Sequence, residues 1–452
     1  MEESGRRNVE PMERPMSGTP NLTTISTKLD RIATLAKQMP DSALKTLAHH
    51  IDIPFMREAY RLTRKNGAPG VDGQTAAEYE QDLEGNLERL IGLAKTGNYR
   101  APPVRRVHIP KDNGSTRPIG IPTLEDKVLQ RSVVMLLEPI YEHDFMDCSY
   151  GFRPGRSAHQ ALDRLWQTMM EMRGGWVLEV DIEKFFDTLD RSHLRNFVEQ
   201  RVRDGVVLRL IGKWLRAGVL EHGELQHPEQ GTPQGGVISP LLANIYLHEV
   251  LDKWFATAAK PRLKGRAELV RYADDFVMVF ALEEDARRMW NALEKRLGNY
   301  GLKLHPDKTR LIPFNRPPRE WSNTKKTVGT FDFLGFTHYW GKSRKNNWVI
   351  KQKTASSRLV RAGKRIAEWC RQHRHLKVRV QWKALCQKLR GHYAYYDLVA
   401  NLDAVSRFRT MTVRTWRKWL SRRSQRAYIS WVRMNQILEH YPLPWPRRRL
   451  LT

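Results

Sequence analysis

Leu269-Val270-Arg271-Tyr272-Ala273-Asp274-Asp275-Phe276-Val277-Met278-Val279-Phe280 reads as two apolar strands interrupted by a pair of adjacent acids. Carboxylates in such surroundings are costly unless they ligate a cation or form ion pairs. A tight turn between the strands places Asp274 and Asp275 at an exposed tip. A lone Asp-Asp is more often just a solvated turn, and a third acid changes that reading. Asp181 closes the apolar run Trp176-Val177-Leu178-Glu179-Val180, 93 residues upstream of Asp274. Strand-end carboxylates converging from distant segments can hold two Mg²⁺ ions, which clamp the attacking and leaving oxygens of a phosphoryl transfer.

The charge balance agrees with a phosphate-bearing substrate. The 452 residues include 77 Lys and Arg against 49 Asp and Glu, a net charge of +28. Such a chain is a poor fit to a small-molecule enzyme and calls for a polyanionic partner. The hydrophobic fraction of 40%, with 14 each of Trp, Tyr and Phe, excludes wholesale disorder. No apolar run is long enough to span a bilayer, and residues 1–10 lack the apolar core of a secretory leader. Three scattered cysteines fit a reducing cytoplasm and supply no zinc spacing. Residues 341–452 hold 28 Lys and Arg against four acids, a net of +24, together with seven of the 14 tryptophans. A charge run is usually a solvated face. This one is long and interleaved with aromatics at helical spacing, so it is expected to bind nucleic acid, with most of its tryptophans in a core.

The periodicity predicts a disordered tail over 1–26 and helix from Thr27 to about Glu58. A Gly-rich loop follows at Asn66–Gly73, then an amphipathic helix to about Lys95. Residues 103–122 alternate like a hairpin turning at Asp112-Asn113-Gly114. Leu124–Tyr141 is expected to be helical, and Trp176–Ile182 a strand with a helix from near Glu183. Ser239-Pro240 should start a helix, with Ser239 as its cap, that runs to about Trp254. Gly301–Leu311 and Phe331–Tyr339 are strand-like, and helix is expected from about Ala355 to Val432 with loops near His373 and Val399. His373-Arg374-His375 has no Cys or acid neighbours and is not a metal tract. Asn66–Gly73 lacks the Gly-Lys-Ser/Thr ending of a P-loop.

In this setting the chain resembles a group II intron-encoded reverse transcriptase (maturase). Tyr272-Ala273-Asp274-Asp275 resembles that family's YADD box, and Asp181-Ile182-Glu183-Lys184-Phe185-Phe186-Asp187 its first metal-binding strand end. Thr232–Pro240 resembles the PQGG box. Lys111 through Arg117–Pro122 is similar to the fingers block, and Ser149–Pro154 to the block after it. Leu304–Thr309 and Phe333-Leu334-Gly335-Phe336 resemble two later palm blocks, Asn66–Gly73 the N-terminal extension, and Gly391–Tyr396 the thumb motif. The resemblance covers roughly residues 50–435.

It implies an α+β right-hand polymerase, with fingers and palm built on antiparallel sheet and followed by an α-helical thumb (X domain). The divisions implied are a tail (1–26), an N-terminal extension (27–98), fingers (99–160), palm (161–340), basic thumb (341–432) and a C-terminal stub (433–452). The chain is expected to carry no HNH endonuclease, since paired cysteines are absent. The implied activity is RNA-directed DNA synthesis using dNTPs and two Mg²⁺ ions. An RNA template or intron RNA and a DNA or RNA primer would be its partners, with assistance to splicing as a second role. By resemblance, Asp181, Asp274 and Asp275 are the metal carboxylates, with the Ile182 carbonyl as a further oxygen ligand. Lys111 and Arg117 would grip the triphosphate, Phe186 would exclude a 2′-hydroxyl while Phe185 points into the core, and Gln234 would contact nucleotide or template. Lys308, Phe333, Leu334 and Gly335 would position the primer end, Asn66–Gly73 would clamp the template as a lid, and Arg422, Arg423 and Arg426 would bind RNA. Two alternatives stand beside this reading: a domesticated host enzyme in DNA repair or phage defence, and a non-catalytic RNA-binding maturase. The intact triad speaks against the latter.

Overall fold

The computed structural model describes residues 22–110, 116–221, 223–226, 231, 235–318 and 329–446. At its centre is a four-stranded antiparallel sheet in the order Ala267–Tyr272, Asp275–Phe280, Trp176–Val180, Arg310–Pro313. Both faces of this sheet are buried, which is why its strands read as nearly continuous apolar runs. Leu178, Val180, Leu269, Phe276, Met278 and Phe280 face a large core shared with helices Leu124–Asp144 and Ser239–Leu247. Val177, Val270, Val277 and Val279 face a second core containing Phe314, Phe331, Phe336 and Trp340. Successive residues of a strand point to opposite faces, so one register sorts the side chains into two cores.

A second sheet joins Phe331–Phe333, Phe336–Lys342 and Trp348–Thr354. The third contains the expected hairpin, Val104–Pro110 with Thr116–Ile121, in the register Val107↔Ile119. It continues through Val219–Glu221 and Glu224–Gln226, and Val104 pairs with Val219 in parallel, so this sheet is not wholly antiparallel. The hairpin's turn, with Lys111, lies outside the described residues. The Asn66–Gly73 loop is docked at the hairpin's base: the Pro69 carbonyl accepts from Arg105 at 2.8 Å and the Ala68 carbonyl from Lys127 at 3.0 Å. Helices Ser356–Gln372, Val378–Tyr396, Leu402–Leu420 and Trp431–His440 enclose a third core around Trp416, Phe408 and Leu389. No helix among the described residues is long and apolar enough to cross a membrane.

Several boundaries differ from expectation. The first helix starts at Leu22, inside the stretch expected to be a tail. The helix expected over 27–58 breaks after Gln38 and resumes as Ile53–Leu62. Pro40 cannot continue a helix, while Asp52 starts the next one by accepting from the Phe55 amide at 3.1 Å. Ser239 is the first residue of its helix rather than the cap. Of Gly301–Leu311 only Arg310–Leu311 is regular strand, although Leu304 bridges to Ile182. The sheet runs on across residue 340, because Phe336–Lys342 pairs with Trp348–Thr354, while helix begins at Ser356, where it is expected. The helix expected to reach Val432 ends at Leu420, and Ser430 caps a separate one from Trp431.

One carboxylate ties residues 47 and 48 of the N-terminal segment to the helix Gly205–Leu215. Asp204 accepts the Leu47, Ala48, Val206 and Val207 amides at 2.7, 2.9, 2.9 and 3.1 Å. Burial pushes its pKa up, but the four amides together outweigh burial and hold it below the usual carboxylate value. A depressed folded-state pKa contributes stability above the unfolded value that is lost as pH falls through the folded one. Asp204→Ala is therefore expected to cost about 3 kcal/mol at pH 7, since buried donors lose a charged acceptor. The penalty should shrink below about pH 4, as read from urea unfolding at a series of pH values.

Candidate active site

Asp274 and Asp275 sit where the hairpin turns, with Tyr272 paired directly to Asp275. The turn requires a left-handed backbone at Ala273, φ 58°. Two neighbours hold it there. The fully buried Arg271 donates to the Ala273 carbonyl at 2.9 Å, to Asn244 at 2.9 Å and to Asp252 at 2.8 Å. Residues 148–151 run alongside the strand, with the Arg271 amide donating to Cys148 and the Tyr150 amide to Arg271, both at 2.8 Å. Gly151 is obligatory at this crossing, because a β-carbon would stand 2.3 Å from the Ala273 nitrogen.

Asp181 follows the neighbouring strand Trp176–Val180, and its carbonyl accepts the His305 amide at 2.8 Å. Its carboxylate is paired with the Lys308 ammonium at 2.7 Å. Asp181, Asp275, Lys308, Phe333, Leu334, Gly335 and Arg358 line one cleft of about 220 Å³. Asp274 is beside this cleft rather than in its lining, and its pKa is raised by desolvation and by Asp181, against the pull of Arg117 and Arg271. Solvent reaches Asp275, yet the cleft walls strip much of its hydration. That desolvation, followed by the Asp274 and Asp181 charges, pushes its pKa up to about 6, against the opposing pull of Arg358 and Arg117. Lys308 is the cation at hand for Asp181. Among the described residues no three His, Cys, Asp or Glu side chains are close enough to form a metal site as they stand.

The other expected residues fall into three groups. Ile182 is buried and bridges to Leu304, so only its backbone can serve the site. Phe185 is 2% exposed and packed in the core, whereas Phe186 is half-buried and meets it edge-on at 5.2 Å. Arg117 is exposed on its strand, and its charge reaches Asp274 and Asp275. Phe333 is in the second core, while Leu334 and Gly335 form a left-handed turn, φ 49° and 81°. The Tyr395 hydroxyl donates to the Leu334 carbonyl at 2.7 Å, which docks this turn on the helical segment.

Gln234, like Lys111, lies outside the described residues. Its neighbour Gly235 is at φ 122°, where a β-carbon would stand 2.4 Å from the Gly120 carbonyl oxygen. That glycine lets the loop touch the hairpin. Arg422, Arg423 and Arg426 are in the loop after Leu420 rather than on a helix. Arg423 donates to the Arg374 and Leu376 carbonyls at 2.6 and 2.7 Å, which makes it a brace between helices. Arg422 lies over Trp419, and Arg426 is exposed.

Sequence reasoning missed Arg358, Arg271, Asn244 and Asp252. Asp252, which follows Glu249 in a largely apolar helical stretch, gained its meaning only once Arg271 was placed opposite it. Arg358 gave no signal, since it is one of many arginines in a basic segment. The crowding of like charges makes a prediction: Asp275→Asn should stabilise the protein at pH 7. The gain should be on the order of 1 kcal/mol once solvent screening at this exposed group is allowed for, read as a higher thermal midpoint in chelator-treated buffer.

Residues 109–338 match the family described as reverse transcriptase (RNA-dependent DNA polymerase). The chain is 36% identical to Protein YkfC of Escherichia coli K12 over 331 residues, 64% of this chain and 85% of that one. It is 39% identical to the group II intron-encoded protein LtrA of Lactococcus lactis over 232 residues, half of this chain but only 38% of LtrA's length. Nuclear intron maturase 2 of Arabidopsis thaliana is 30% identical over 174 residues, 30% of this chain and 24% of that one. With a matching family domain over half its length, a YADD hairpin facing Asp181 and intron-encoded relatives, the chain belongs to the group II intron reverse transcriptase/maturase family.

Proposed function

We propose that the protein extends a DNA or RNA primer along an RNA template with dNTPs, and that it binds intron RNA through its basic helical segment. The single observation that carries this is the convergence of Asp181 and Asp275, with Asp274 adjacent, on one cleft, where the Arg117 charge acts on both Asp274 and Asp275. The three carboxylates offer the hard oxygen donors that Mg²⁺ prefers. Their mutual repulsion and the Lys308 ammonium already paired to Asp181 mark a place built for positive charge. Asp181, Asp274 and Asp275, with the Ile182 carbonyl, would hold two Mg²⁺ ions. Bound there, these supply Lewis-acid stabilisation of the charge that builds on the attacking 3′-oxygen and the leaving pyrophosphate.

The chain's own groups do the rest. Lys308 exchanges Asp181 for a phosphate as the site fills. Arg117, with Lys111 from the hairpin turn, holds the triphosphate, Arg as a planar fork and Lys as a point charge. Phe186, five residues past Asp181 and half-buried, is assigned to close the space a 2′-hydroxyl would need, while Phe185 anchors it from the core. Gln234 is assigned to nucleotide or template. The Leu334-Gly335 turn, fixed by Tyr395, supports the primer end beside Lys308. In hand terms, the hairpin sheet forms the fingers, the central sheet the palm and the helices from Ser356 the thumb, in a cytoplasmic enzyme.

Asp274→Asn removes an anionic ligand at constant shape, and primer extension on an RNA template should fall by at least about a thousandfold, with RNA binding by filter assay retained. Extension at the wild-type rate would refute the site. Phe186→Ala should raise incorporation of rNTP relative to dNTP by roughly a hundredfold, the scale of one unfavourable contact relieved. An unchanged ratio in an active variant would move the gate to another residue.

A further inference from the structure

The loop Gly151-Phe152-Arg153-Pro154 is immobilised from three sides. The Arg153 guanidinium is buried and donates to both Glu142 carboxylate oxygens and to the Met146 and Ser149 carbonyls, the last two at 2.8 Å. Asn244 donates to the Gly151 carbonyl at 2.7 Å, and Gly151 is pressed against the catalytic turn at Ala273. What this rigid loop presents is a phenyl ring. Phe152 is 57% exposed, and its backbone is left-handed at φ 55°. A bulky residue in that conformation is strained, and glycine would relieve it. An exposed aromatic is unfavourable to hydration as well. Two costs therefore meet in one side chain, whose ring centroid is 6.4 Å from that of Tyr272 in the catalytic hairpin. Strain that the surroundings enforce next to a reactive centre points to a role for the residue that is strained.

We propose that Phe152 is a binding platform whose ring stacks on a nucleobase at the catalytic hairpin, alongside Tyr272. The inference rests on the polymerase reading above and adds a contact to it. The ligand chemistry is a flat π-face of any base identity, because a phenyl ring has no hydrogen-bonding group with which to read an edge. Two sources can supply that face, the terminal pair of the primer–template and the base of the incoming nucleotide. Neighbouring groups leave the ring free for it: Arg153 is engaged beneath the loop, and Arg156 lies over Tyr150 at 5.6 Å and pairs with Asp147.

The test uses the full chain with a DNA primer on an RNA template, and with Phe152→Ala, Phe152→Leu, Phe152→Tyr and Phe152→Gly variants. Binding is read without turnover. Anisotropy of a labelled primer–template gives the first affinity. Titration of dNTP into the complex with a 3′-deoxy-terminated primer gives the second. Phe152→Ala and Phe152→Leu should weaken one of the two by roughly tenfold, the scale of one lost stack, and Phe152→Tyr should stay near wild type. Loss confined to the primer–template assigns the ring to the strand end, and loss confined to dNTP assigns it to the incoming base. Phe152→Gly should show the same loss with a raised thermal midpoint, since the left-handed backbone is then unstrained. If Phe152→Ala leaves both affinities unchanged, or Phe152→Leu behaves as wild type, or Phe152→Tyr does not, the inference is overturned. Absence of extension by the wild-type chain would instead refute the polymerase reading, while the primer–template affinity still decides whether the ring meets nucleic acid.

Discussion

Arg271 carries a full charge where water does not reach, and the geometry of the turn at Ala273–Asp275 follows from that. Burial alone would lower its pKa, but Asp252, equally buried, outweighs that and holds the pKa above the usual guanidinium value. A buried ion pair of this kind contributes little net stability, but it tolerates few alternative arrangements. Its remaining donors find Ala273 and Asn244, and Asn244 in turn reaches Gly151. One pair thus locks together the hairpin strand, a helical segment and the loop beside the hairpin, three pieces far apart in sequence.

Strain is concentrated around the same place. Six non-glycine residues among those described have a left-handed backbone, and Phe152, Lys184, Ala273 and Leu334 surround the carboxylates. Three of these are overruled by specific neighbours: Phe152 by Arg153 and Asn244, Ala273 by Arg271, and Leu334 by Tyr395. The crowded carboxylates belong to the same pattern. The fold holds like charges together through burial in two cores elsewhere in the central sheet.

The central sheet, and the placing of Asp181, Asp274 and Asp275 at its strand ends as a candidate site, were legible in the sequence because their signal is local. Apolar runs end in acids, and the glycines mark where backbones must touch. What was not legible depends on partners distant in sequence. The strand Trp348–Thr354 was hidden because Lys351 and Lys353 alternate with Ile350 and Gln352, so the basic stretch masked a half-buried strand. Arg423 reads in sequence like any phosphate-seeking arginine, and only the fold supplies the Arg374 and Leu376 carbonyls that occupy it. Asp252 had no readable meaning until Arg271 was placed opposite it.

Much of the basic segment's alternation of arginine with tryptophan is satisfied internally. Arg409 lies 3.6 Å from the Trp445 ring centre and Arg417 lies 4.3 Å from that of Trp431, while both indoles remain substantially exposed. A guanidinium resting on an indole keeps its charge but gives up most of its rotamer freedom, and it does so during folding. The entropy of ordering those long side chains is thus lost before any polyanion arrives. A surface prepared in this way binds with less to immobilise than one of freely waving lysines, and its charges hold fixed spacings that a phosphate backbone either matches or does not.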